Sequence, residues 1–106
     1  MGYYTTTRHA SDAADAIRTI REKATDRDAY DDVDEITRTA EHLRALAEHL
    51  PPVLTQQGLA LLLHARDPEQ REVTDGQKAL AQAAAHAVRL EEALRTAIEE
   101  MRRVRD

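Results

Sequence analysis

AEHLRALAEHLPPVLTQQGLALLLHARDP, residues 40–68, is the stretch on which the fold turns. Ala40, Leu43, Ala47 and Leu50 advance by alternate steps of three and four, the spacing of one helical face. Pro51 and Pro52 follow. Neither can donate a backbone hydrogen bond to the preceding turn, and a residue before proline avoids the helical region, so the helix is expected to stop at Leu50. Pro52 suits the first position of a new helix. Beyond it Leu54, Gly58, Leu61, Leu62 and Ala65 form one face, with Leu59 and Leu63 nearly opposite, which predicts a helix buried on two sides. Gly58 would let a neighbouring backbone approach closely. Asp67-Pro68 closes this helix.

Val33 and Ile36 extend the face before the prolines back to Asp31, Asp32, Asp34 and Glu35, anions that suit the positive end of a helix. Ala13, Ala16, Ile17, Ile20 and Ala24 mark an earlier, narrower helix with Ser11 as its cap. Residues 25–28 carry short polar side chains that compete for backbone groups and read as the turn between the two. Downstream, Thr74 or Asp75 is the expected cap of a last helix. Its residues Leu80, Ala83, Ala87, Leu90, Leu94, Ala97, Met101 and Val104 keep a strict heptad, with no Gly or Pro from 79 to 105. Glu91–Arg95 and Glu99–Arg103 are spaced as ion pairs of an exposed helix face. The sequence therefore predicts an all-α four-helix antiparallel up-and-down bundle, with helices at roughly 10–24, 30–50, 52–66 and 75–104. A flexible leader covers 1–9 and one domain covers 10–106.

Composition limits what such a bundle can do. Among 106 residues there is no Cys, which excludes disulfides and thiolate chemistry. No apolar run approaches the roughly 20 residues that cross a bilayer, and no basic-then-apolar signal opens the chain, so a cytoplasmic location is expected. Gly2 and Thr6 fit the bare N-myristoylation pattern, yet 13 Arg against 2 Lys, with abundant Ala, points to a GC-rich bacterial genome where that modification is foreign. A net charge of -5 opposes binding to a phosphate backbone.

Candidate chemistry is sparse. His42 and His49 share a helix face but lie about 10.5 Å apart, too far for one metal ion. No Glu-x-x-His pair occurs, the usual element of a di-metal site in a helical bundle. His64 and His86 have no convincing helical co-ligands. Ser11 is the one serine, and Gly2, Gly58 and Gly76 form no phosphate loop. No metal, cofactor or catalytic activity is expected. The chain has no Trp, and Pro-Pro stands where helices 2 and 3 were expected to turn, so the motif of the Trp-x-Gly family of secreted helical hairpins is absent and no family is assigned.

Two functional readings survive. The favoured one is a protein–protein interaction module, an adaptor or regulator that pairs with itself as a homodimer or with another helical protein. Its expected interface is Leu59 and Leu63, facing away from the seam of their helix, together with Leu94, Ala97, Met101 and Val104. The last four would form an overhang, since the final helix of about 30 residues, roughly 45 Å, outruns the one before it. The alternative is a small DNA-associated regulator using Arg89, Arg95, Arg102, Arg103 and Arg105. Its connection of about ten residues exceeds the three or four of a helix-turn-helix, and Lys78 is the one base at the start of the last helix.

Overall fold

The computed structural model describes residues 3–26 and 28–104. The described residues form three α-helices and no strand: α1 (Tyr3–Ala24), α2 (Val33–His64) and α3 (Arg71–Arg102). The all-α class stands, and the four-helix bundle does not. The helices expected at 30–50 and 52–66 are one continuous helix of 32 residues with Pro51 and Pro52 inside it.

Each proline removes an i→i−4 bond and crowds the carbonyl of the turn below, at about 3 kcal/mol or more in a helix interior. The helix persists because α3 packs along both of its halves. Before the prolines Arg44 reaches Glu91 of α3, and after them the Gln77 side chain of α3 donates to the Gly58 carbonyl at 3.3 Å. Packing on both sides holds the two segments in line, and tertiary contact overrides the local break.

The Met1–Asp32 unit and the Val33–Asp106 unit are separately compact. In the first, α1 begins at Tyr3, well before the start expected near 10, and runs through much of the segment read as a leader. Ser11, expected as a cap, lies inside it. Met1 and Gly2 lie outside the described residues. The turn expected at 25–28 is present: Thr25 Oγ1 donates to the Glu22 carbonyl at 2.8 Å, and the Asp26 amide donates to Lys23 at 2.9 Å. The Asp28 amide donates to Asp26 Oδ1 at 3.0 Å; Arg27 lies outside the described residues.

In the second unit α2 and α3 form an antiparallel hairpin. Residues late in α2 meet residues early in α3 (Gly58 with Gln77), and residues early in α2 meet residues late in α3 (Glu41 with Arg102). The link at 65–70 turns on Asp67, whose carboxylate accepts the Glu69 amide at 3.1 Å and whose carbonyl accepts the Gln70 amide at 3.2 Å. That Asx turn lets α3 start at Arg71, so Thr74, Asp75 and Gly76 are helix interior rather than cap.

Between the two helices lies a thin row of mostly small residues. Ala40, Thr37, Ala47 and Gly58 of α2 are buried, as are Val73, Ala87, Glu91 and Ile98 of α3. No large side chain is fully buried. The strict heptad read on α3 departs from this row. A straight helix drifts by about 20° per heptad against a 3.5-residue repeat. Over four heptads the line rotates off the contact, leaving Leu90 and Val104 about half exposed while Ile98 takes the buried place assigned to Ala97.

Candidate functional site

The hairpin surface has two flanks on either side of the buried row, and their chemistry differs. At 100° per residue, Arg44, Glu48, Pro51, Thr55 and Leu59 of α2 lie on one flank, beside Gln77, Ala81, Val88 and Arg95 of α3. These residues line shared surface grooves, Arg44 with Arg95 in one of them, which fixes the side on which each sits. Leu43, Leu46, Leu50 and Val53 of α2 lie on the other flank, with Ala83, Leu90, Ala97 and Met101 of α3. Leu61 and Gly76 belong to this second flank and approach so closely that a Cβ on Gly76 would meet Leu61 Cδ2 at 2.9 Å.

The first flank is polar over much of its length. Glu91, expected on an exposed face, is instead among the buried residues of α3. Its Oε2 accepts from Arg44 Nη1 at 2.8 Å and from Arg95 Nη2 at 2.7 Å. Arg44 also pairs with Glu48 at 3.3 Å. Hydrogen bonds from Arg44 and then Arg95 hold the Glu91 carboxyl below the usual glutamate range, against the opposing effect of burial; the bond to Glu91 in turn raises Arg44. Toward the open end of the hairpin Arg102 pairs with Glu41 at 3.3 Å. At the loop end the same side becomes apolar, a shallow groove of about 280 Å³ between Leu54, Leu59, Leu80 and Ala81. The sequence carries a signal for the buried carboxylate: Glu91 falls four residues after Ala87 and seven before Ile98, in phase with the buried row.

The second flank is apolar in its middle, with Glu35 and Glu72 in phase with it toward the two ends. Leu46 is 38% exposed, Val53 48% and Leu90 49%, with Leu43, Leu50, Ala83 and Ala97 half-buried between them. The charged residues of α2 between Thr39 and His64 are Glu41, Arg44 and Glu48, and all three line grooves on the opposite side.

The six residues expected as one interface are not brought together. Leu59 and Leu63 are exposed near the loop end. Leu94, Ala97, Met101 and Val104 lie toward the other end, roughly 30 Å away at 1.5 Å per residue. Nor do those four overhang, because α2 and α3 each have 32 residues and Val104 shares a surface depression with Val33 and Thr37. Leu46, Leu50 and Val53 stayed unnoticed as surface residues because a broken helix 2 predicts a bundle core around them.

Of the five arginines of the nucleic-acid reading, Arg89 is exposed, Arg95, Arg102 and Arg103 each pair with a glutamate, and Arg105 lies outside the described residues. Among the described residues no group of three His, Asp or Glu could hold a metal ion, and no helix is long and apolar enough to cross a membrane. No protein-family model, curated protein or solved structure matches the chain.

Proposed function

We propose that the chain is a helical protein–protein interaction module, an adaptor or regulator that associates through helix faces and takes a second copy of itself as partner. The observation that carries this reading is the imbalance of the hairpin: among the described residues Val73 and Ile98 are its only buried large aliphatic side chains, while Leu46, Val53, Leu59, Leu63 and Leu90 are exposed. Exposed apolar residues scattered singly are ordinary, but rows of them along a helix are a feature of association surfaces. A nucleic-acid surface on α3 is the weaker reading, because binding phosphates would require Arg95, Arg102 and Arg103 to leave their carboxylates.

Sedimentation velocity at micromolar concentration tests the proposal. A species of twice the 11.9 kDa chain mass is the expected result, and a single 11.9 kDa species would overturn self-association.

A further inference from the structure

We infer that the second copy seats on the apolar flank of the hairpin, where Leu46, Leu50 and Val53 of α2 lie beside Ala83, Leu90 and Ala97 of α3. Two hairpins then close face to face into a four-helix assembly. The inference rests on the self-association reading above and names its surface and geometry.

Three observations favour a second copy as the occupant. The first is extent. The apolar stretch, from Leu61 and Gly76 to Met101, is about 40 Å long and two helices, or about 20 Å, wide, which offers roughly 800 Å² per copy, the size of one partner's share in a stable interface. The second is charge. Glu41, Arg44 and Glu48 all lie on the opposite side, and Glu35 and Glu72 fall beyond the ends of the Leu46–Val53 row, so the middles of two such flanks meet without an ionised group between them.

The third is shape. A two-fold interface must be its own complement: what residue i of one copy needs, residue j of the same face must supply. Here α2 presents a row of large side chains, Leu46, Leu50 and Val53, while α3 presents Ala83 and Ala97 on either side of Leu90. A two-fold axis parallel to the helices lays α2 of one copy against α3 of the other without changing the height of any residue. Val53 then comes level with Ala83 of the second copy, and Leu46 with Leu90. Val53 thus packs on a small residue and Leu46 on a large apolar one, each contact occurs twice by symmetry, and neighbouring helices all run antiparallel.

Two double variants and one footprint test this. Leu46→Glu with Leu90→Glu places carboxylates at exposed positions of the folded hairpin but inside the inferred interface. It should weaken self-association by at least about a hundredfold, as expected for an unpaired charge buried on association, with helicity by circular dichroism retained. Leu59→Glu with Leu63→Glu should leave association unchanged. Hydroxyl-radical footprinting of the unaltered chain needs no variant: Leu46 and Leu90 should gain protection as concentration rises, and Leu59 and Leu63 should not. Dimers that survive the first variant and are lost in the second, or protection confined to Leu59 and Leu63, would overturn this face while leaving self-association standing. A monomeric unaltered chain would overturn both.

Discussion

Gly58→Ala should stabilise the protein, although Gly58 is buried between helices. A Cβ built there lies 3.8 Å from Leu80 Cδ1 and 4.0 Å from Gln77 Cγ, which is ordinary van der Waals contact. Replacing glycine by alanine in a helix interior gains about 1 kcal/mol, because the unfolded chain has less freedom to lose. The hydrogen bond from Gln77 to the Gly58 carbonyl involves backbone that need not move. For a unit of this size about 1 kcal/mol raises Tm by roughly 4–8 °C. Gly76→Ala is the matched control. It gains the same helix propensity, but its Cβ would stand 2.9 Å from Leu61 Cδ2. Leu61 must leave its rotamer, at a cost of about 0.5–1.5 kcal/mol that cancels most of the gain. Thermal unfolding by circular dichroism, with all chains at one concentration because association shifts Tm, reads both changes. A fall in Tm for Gly58→Ala, or a larger rise for Gly76→Ala, would refute the packing argument.

Pro52→Ala should stabilise the hairpin by on the order of 2 kcal/mol, since a donor returns to a helix interior where proline is about 3 kcal/mol worse than alanine, less the freedom regained by the unfolded chain; urea unfolding measures this, and a loss of stability would mean the helix is interrupted at the prolines. Glu91→Gln should lower Tm near neutral pH by weakening the bonds to Arg44 and Arg95. The folded Glu91 carboxyl lies below its ordinary value of 4.5, so its contribution is present above that value and lost as pH falls through the lower folded value. Unaltered protein should therefore lose stability below about 4.5 more steeply than Glu91→Gln, and parallel pH–Tm curves would contradict this. EDTA should leave Tm unchanged; a drop of several degrees would reveal a metal site involving His42, His49, His64 or His86.

The helical class was legible because every apolar segment recurs at steps of three and four, and the turn at 25–28 because its side chains bond locally. The Pro51–Pro52 break was misread because proline's cost is a local quantity, whereas the gain from α3 lying across both halves is a tertiary one. The start of α1 was missed because its first residues carry no apolar period, and helix does not require one. The candidate surface was half legible. Periodicity sorts residues into faces of one helix but gives no angle or height between helices, so Leu59 was joined to Leu94 although the hairpin holds them far apart. Glu91 is the converse case, since its phase placed it in the buried row while its charge suggested an exposed face.

The order of contacts along the hairpin also bears on how it closes. Gly58 and Gln77 are 19 residues apart in the chain, while Arg44 and Glu91 are 47 apart. Bringing the second pair together from the unfolded chain costs about 0.8 kcal/mol more in loop entropy than the first. The Asp67-Pro68 turn thus provides the cheapest nucleus, and pairing spreads from it past the prolines toward the open end. That end lacks covalent closure in this unit, and its latch is ionic: Arg44 and Arg95 on Glu91, then Arg102 on Glu41. High salt or acid should therefore loosen the hairpin from the end opposite its turn, as a zipper opens away from its closed stop.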